Sequence, residues 1–434
     1  MFGQRRSLLL AALVAITSAG AAAQEPLVVF VFDQNLDAVF RLEDRNHDGD
    51  MLDPGEVTRF FDDTVAGIGT ENSQGLYALD PFTLLATDNF APDDVVLLVD
   101  ANQDGDAFDP GEGSEWFDGA LPGGYMLTNP VTLSLGIDGA FYLIDNNTLD
   151  TANPEAVYRL EDLNDDGDVN DEGEVTFYFE LSPPGVIGAT TFDIEFDAAG
   201  AGYVIDITDP DQIHSLDRID PTATTRTEWV DSTALYWGMG LLLSGGYELT
   251  YNPVTKEIIA DTTDASYYTN LIALRDRNGN GHIDVPSEVR VIWGELTHAA
   301  GLSVGAARDI MYADDGSLVW IDNQYKRVFR LYDYSGDGDY NDEGETIILY
   351  SSSAAEAVGL PVMANLLSCT VVRAPLAGDC DGDDVVDWGD TDDLVECLLG
   401  PENGLDTGCR CVDMDGDDDV DLADVAEFQT AFSG

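Results

Sequence analysis

Positive charge is what this chain has least of. Lysine occurs twice, at Lys256 and Lys326, and Lys and Arg together number 18 against 84 Asp and Glu. A formal charge of −66 excludes nucleic acids and anionic membranes as partners unless metal ions intervene. So few cations also cannot cradle phosphates. Histidine is nearly missing: His47 and His282 lie inside acidic loops, which leaves His214 and His298. There is no His cluster at zinc spacing, and no catalytic residue is assigned. His298, in Gly294-Glu-Leu-Thr-His298, is expected on a solvent-exposed loop between repeats. Beyond the first residues no apolar run approaches 18, so no membrane span is expected.

Cysteine is scarce and crowded to one end: Cys369, Cys380, Cys397, Cys409 and Cys411. In an exported chain these are disulfides rather than metal ligands, an odd count leaves one thiol over, and the pairing stays open. Export itself is read from Arg5 and Arg6, the apolar run Ser7 to Ile16, and Ala21-Ala22-Ala23 before Gln24. That pattern is a secretory signal peptide over residues 1–23, which places the mature protein outside the cell or at its surface.

What the chain has instead is repetition. Five segments share one plan, an alternating apolar run, an acidic loop and a second alternating run, beginning at Val39, Val96, Val157, Ile272 and Val328. Their first loop aspartates, Asp44, Asp100, Asp162, Asp276 and Asp333, recur about every 57 residues, with one double interval after Asp162. Ile213-His-Ser-Leu-Asp-Arg218 fills that gap, followed by a loop, Asp220-Pro-Thr-Ala-Thr224, without the ligands. Six repeats result.

The last repeat divides into four short strands: Asp309-Tyr312, Ser317-Asp322, Arg327-Asp333 and Thr346-Tyr350. Four strands per unit of this length is the period of a propeller blade. Leu27-Asp33 matches a second strand, so the first repeat lacks its first; Asn365-Val372 follows a lead-in like Ala300-Ala306 and supplies it. A C-terminal strand pairing into the N-terminal blade closes the ring and removes exposed edges. Every second strand ends in aspartate: Asp33, Asp88, Asp145, Asp206, Asp261 and Asp322. These are read as caps of the turn backbone rather than a ring of catalytic acids. The stretch Leu318-Val-Trp-Ile-Asp322-Asn-Gln-Tyr-Lys-Arg327-Val328 resembles the NHL-type propeller repeat.

The acidic loops carry the chemistry. In Asp44-Arg-Asn46-His-Asp48-Gly49-Asp50-Met-Leu-Asp53-Pro-Gly-Glu56, oxygens at positions 1, 3 and 5 and glycine at 6 are what an EF-hand calcium loop needs. The closing Glu56 falls at 13 rather than 12, and Asp53 is an extra acid at 10. The same set recurs as Asp100, Asn102, Asp104, Asp106, Asp109 and Glu112, and as Asp162, Asn164, Asp166, Asp168, Asp171 and Glu174. It recurs again as Asp333, Ser335, Asp337, Asp339, Asp342 and Glu345, while the loop from Asp276 uses Asn278, Asn280, Asp284 and Glu288. Five such clusters in register repel themselves without a cation. Calcium is expected and magnesium is not, because Mg2+ sheds water reluctantly for so many protein oxygens. The loops join third and fourth strands and so open on one rim, where a structural role is expected.

After Gly378 two further loops place carboxylates at positions 1, 3, 5, 9 and 12: Asp379, Asp381, Asp383, Asp387, Asp390, and Asp413, Asp415, Asp417, Asp421, Asp424, with Asp419 as a further acid. Each precedes an apolar-periodic segment expected to be helical, Trp388-Leu399 and Leu422-Phe432. The pair resembles a type I dockerin. The resemblance implies calcium-dependent folding and docking onto a cohesin partner, often in polysaccharide-degrading assemblies. Asp384 and Asp418 stand where the glycine is usual, and Trp388-Gly389 and Leu422-Ala423 where a hydroxyl pair is usual.

The sequence therefore reads as an all-β six-bladed propeller over 24–376, followed by a small α-helical calcium module over 377–434. About seven Ca2+ are expected in total. Two functions are carried forward. One is a non-catalytic exported binding or scaffold protein, with a glycan on the propeller and a cohesin-like or cell-surface protein on the tail. The other is a calcium-dependent propeller enzyme, a glycoside hydrolase or lyase or a lactonase, which needs a central-channel metal held by convergent acidic or amide side chains. The segment Asp231-Ser-Thr-Ala-Leu-Tyr236-Trp237-Gly-Met239 is expected as a long loop whose aromatics suit stacking on a sugar or, equally, apolar packing.

Overall fold

In this computed structural model the described residues are 27–434 except 47, 63, 65–67, 91–92, 147–153, 165, 183–190, 207–214, 244–247, 375–377, 379, 381–385, 387, 389, 399–408, 415–419 and 433–434. The expected leader, His47, His214 and the loop acids Asp379, Asp381, Asp383, Asp387, Asp415, Asp417 and Asp419 lie outside the described residues.

Six antiparallel sheets follow one another along the chain. Blade 2 is Leu76–Asp80, Thr83–Asp88, Asp94–Val99 and Gly113–Phe117; blade 3 is Pro130–Leu135, Phe141–Asp145, Glu155–Leu160 and Val175–Ser182. Blade 4 is Thr191–Phe196, Gly202–Asp206, Ser215–Ile219 and Arg226–Val230. Blade 5 is Leu249–Asn252, Glu257–Asp264, Thr269–Leu274 and Val289–Gly294, with Leu241–Leu242 paired to the far end of its long second strand. Blade 6 is Ala307–Tyr312, Leu318–Asp322, Arg327–Leu331 and Thr346–Ser351. Blade 4 forms its four strands although its loop has lost the acids, so strand patterning and not metal chemistry defines a blade.

Blade 1 is built from both ends of the chain. Leu366–Arg373 lies against Leu27–Asp33, with Val29 opposite Val371 and Val31 opposite Cys369, and Ala38–Glu43 and Val57–Asp62 complete the sheet. The ring closes as the spacing implied. Leu27–Asp33 is buried along its whole length, because both edges are paired and both faces are covered by neighbouring blades. Core clusters sit between blades: Val29 and Phe40 of blade 1 pack with Val319 and Val328 of blade 6, and Val28 and Phe60 pack with Leu84 and Val96 of blade 2.

Four of the second-strand aspartates, Asp33, Asp88, Asp145 and Asp322, accept from turn or linker backbone N–H groups, while the side chain of Asp206 lies outside the described residues. Asp33, Asp145 and Asp322 are fully buried. Asp33 accepts hydrogen bonds from Asn35 and Leu36 in its own turn and from Asn365 in the linker. Asp145 accepts from Thr128 and Asn129, and Asp322 from Gln324 and Tyr325. Each ties the turn or the incoming linker to the blade. Arg327 Nη2 donates to Asp322 Oδ2 at 2.7 Å, which orders the turn of the NHL-like segment.

Two sequence expectations are corrected. Residues 231–239 are not a loop: Ser232–Met239 is an α-helix, because the Asp231 side chain accepts from Thr233 and Ala234 N–H groups and Gly240 ends it in the left-handed conformation. His298 is not exposed. It is buried, stacks on Trp293 with ring centroids 4.6 Å apart, and its Nε2 lies 2.7 Å from the Leu302 carbonyl.

Beyond the ring, the described elements of the tail are two α-helices, Thr391–Cys397 and Leu422–Ala431, a short 3-10 helix, Arg410–Val412, and two disulfides, Cys380–Cys411 and Cys397–Cys409. Cys369 is the thiol left over, buried in the innermost strand of blade 1. Val386 and Val420, each at loop position 8, pack with Leu394, Val412 and Phe428. Among the described residues no helix is long and apolar enough to cross a membrane.

Candidate functional site

The five acidic loops all join third to fourth strands, and they fold on one template. In the first, Asp44 Oδ1 accepts from Asp48 N–H at 3.2 Å and Oδ2 from Gly49 N–H at 2.9 Å. Asn46 Oδ1 accepts from Asp48 N–H and Asp50 Oδ1 from Leu52 N–H. Asp100 and Asp162 repeat the first pair of bonds on Asp104 and Gly105 and on Asp166 and Gly167. Asp276 and Asp333 bond Gly281 and Gly338. The sixth position has φ from 91° to 100° in Gly49, Gly105, Gly167, Gly281 and Gly338, a conformation a Cβ disfavours.

The closing glutamates define the other end of the template. Glu56, Glu112, Glu174, Glu288 and Glu345 are all buried. Glu56 Oε1 accepts from Arg45 N–H and Oε2 from Asp53 N–H, so one carboxylate joins loop positions 2 and 10. Glu112 and Glu174 do the same in their own loops, while Glu288 joins positions 2 and 9 and Glu345 joins positions 3 and 10. An extra residue before the glutamate is accommodated in this way without loss of the turn.

The donor set is hard oxygen, carboxylate with Asn or Ser, which fits Ca2+ better than a soft metal. Where these carboxylates crowd, the structure puts a proton donor between them. Asn102 Nδ2 lies 3.1 Å from Asp104 and 2.8 Å from Asp109, and Asn164 Nδ2 lies 3.1 Å from Asp166 and 2.6 Å from Asp171. Among the described residues no three His, Cys, Asp or Glu side chains are gathered on a common point. Burial, and then the charge of Asp48, raise the carboxyl pKa of Asp50 above its usual value; burial likewise raises Glu56, Asp100 and Asp106. In the tail, Asp390 and Asp424 are buried and take the same closing role, accepting from Cys380 and Met414 N–H groups. Asp413 lies 3.4 Å from Arg45 of the first loop.

A second site was invisible in the sequence. The innermost strands of all six blades surround an axial cavity of about 220 Å3. Asp193 and Glu195 of blade 4, Glu248 before blade 5, and Asp309 of blade 6 face it. Asp193 accepts from Thr132 Oγ1 at 2.9 Å and from Leu249 N–H at 2.7 Å, and Asp309 from Cys369 N–H at 2.7 Å, so both also tie neighbouring blades. Enclosure raises the pKa of Asp193 to about 6. Asp309 rises to about 7 by burial and then the charge of Asp193. Glu195 and Glu248 are pushed well up, by burial first and by Asp193 next. The only signal in the sequence is an acid in place of an apolar residue within first strands, which strand alternation alone does not distinguish from a surface acid.

No protein-family model and no curated protein matches the sequence. Several solved structures are similar to the chain at low identity. A protein of unknown function from Bacteroides caccae is 10% identical with a TM-score of 0.46, over 80% of this chain and 99% of that one. A gluconolactonase from Xanthomonas campestris is 13% identical with a TM-score of 0.38, over 66% and 75%. A calcium-binding regucalcin from Agrobacterium tumefaciens is 14% identical with a TM-score of 0.37, over 62% and 74%. The class stated here, a six-bladed β-propeller closed by its two terminal strands, rests on this chain's own strand order.

Proposed function

We propose that this chain is an exported calcium-loaded propeller acting as a non-catalytic binding or scaffold protein. The observation that carries the reading is the shared loop template: five loops, each with a left-handed glycine at position 6, hard-oxygen side chains at positions 1, 3 and 5, and a buried closing glutamate. Five Ca2+ in the propeller and two in the tail neutralise part of the −66 charge and stabilise the folded ring. The paired loop–helix tail is the dockerin-like docking element, for a cohesin-like or cell-surface protein. A glycan is the ligand proposed for the propeller, with Trp237, 80% exposed on its capped helix, as a stacking surface.

Elemental analysis and calorimetric titration of the purified chain test this. Bound calcium, and a melting temperature that falls by more than about 10 °C in EDTA, are expected. Metal-free protein with an unchanged melt overturns the reading. The axial cavity favours one other reading, a propeller enzyme acting on polysaccharide or a lactone, since carboxyls of raised pKa are suited to general acid–base work. Turnover of such substrates that Asp309→Asn abolishes decides for the enzyme.

A further inference from the structure

The fourth strand of every blade contains an extra residue at the same place in its ladder, and that of blade 3 has a second at Leu181. In blade 1 Val39 lies opposite Phe61 and Phe40 opposite Arg59, so Phe60 is bulged out of the ladder. The same skip isolates Trp116, Tyr178, Trp229, Ile292 and Leu349 in blades 2 to 6. A bulge leaves its residue unpaired within its own sheet. Five of these residues turn their carbonyl to the next blade. Ala107 N–H donates to Phe60 O at 2.8 Å, Val169 to Trp116 at 2.9 Å, Ile283 to Trp229 at 2.8 Å, Tyr340 to Ile292 at 2.7 Å and Met51 to Leu349 at 2.7 Å.

Each of the five donors is the eighth residue of an acidic loop, and each is buried. The loop of blade 5 illustrates the packing: Ile283 sits in one cluster with Trp229 and Leu235 of the preceding blade and its linker. The sixth bulge, Tyr178, faces blade 4, whose loop has no metal ligands. There Ala223, Tyr178 and Phe179 pack against one core cluster shared by blades 3 and 4, and the Tyr178 ring lies 4.8 Å from Tyr142 and 6.2 Å from Phe196.

We infer that the acidic loops are staples between blades, and that a divalent ion sets them. The inference rests on the calcium reading above. An ion held by positions 1, 3 and 5 fixes the turn immediately before position 8, and the closing glutamate fixes position 10, or position 9 in the blade 5 loop, just after it. Between those two anchors the eighth N–H is aimed at the neighbour's bulge carbonyl. Without the ion, mutual repulsion of the carboxylates spreads the turn and the bond is lost. Five of six junctions are therefore calcium-dependent, and the junction of blades 3 and 4 is not.

Hydrogen exchange of the full chain, read residue by residue with calcium and in EGTA, tests this. The amides of Met51, Ala107, Val169, Ile283 and Tyr340 are expected to exchange at least about tenfold faster after chelation. Those of Ala223 and Val31 are expected to hold their rates. Asp48→Ala should remove one ion by calorimetry and accelerate Met51 alone; Asp166→Ala should do so for Val169 alone. If calcium binds and the five amides keep their protection in EGTA, the staples are refuted while the calcium reading stands. If chelation accelerates all amides equally, loss is global and the staples are again refuted. If calorimetry detects no calcium, the underlying reading fails and the ion-dependence fails with it.

Discussion

At the scale of single residues, the acids of this protein divide by partner. A loop acid such as Asp44 or Glu56 has backbone N–H groups on its oxygens, so its charge is partly met by dipoles before any ion arrives. Asp309 is different, because its enclosure favours the neutral form. A folded-state pKa of about 7 against 3.8 means that the folded chain holds the proton longer than the unfolded one. Its contribution to stability is complete below about pH 3.8 and is lost as pH rises through about 7. Asp309→Asn keeps an acceptor for Cys369 N–H and removes that loss. Calorimetric melts at pH 5 and pH 8 with calcium constant should show a smaller fall for the variant than for the parent. An equal fall contradicts the assignment.

At the scale of elements, the strands and loops were legible to different depths. Leu27–Asp33 was readable because an alternating apolar run ending in aspartate repeats six times, and its partner was readable from the lead-in that precedes it. The bulges were not, since a bulge shows only in register, and register is a relation between two strands. The helix at Ser232–Met239 was missed because its cap residues, Asp231 and Gly240, resemble ordinary turn residues until the backbone between them is seen. His298 was misplaced because a loop was equated with exposure, although Trp293 covers it. The junction of blades 3 and 4 offers a test at this scale. Tyr178→Ala removes two ring contacts and should cost about 2 kcal/mol in urea unfolding, equally with calcium and with EDTA. A cost that appears only in calcium would contradict the ion-independence of that junction.

At the scale of the whole molecule, charge and closure oppose each other. Blade 1 joins the two ends of the ring through Leu27–Asp33 and Leu366–Arg373, while a net −66 pushes every blade outward. Screening should substitute in part for bound cations. Raising NaCl from 20 mM to 500 mM, which shortens the Debye length several-fold, should raise the melting temperature of the chelated protein and change the calcium-loaded one much less. Equal responses would mean that the loop carboxylates do not govern ring stability.

Repeat length, strand count, ring closure and the oxygen pattern of the loops were set by the linear order of residues, because each is a local periodicity and needs no knowledge of what lies across the ring. The disulfide pairing, the axial cavity with Asp193, Glu195, Glu248 and Asp309, and the bond from each loop to the preceding blade were decided only by the tertiary structure. These unite residues from different repeats, and the distance between them depends on how six twisted sheets pack around an axis, which no single repeat encodes.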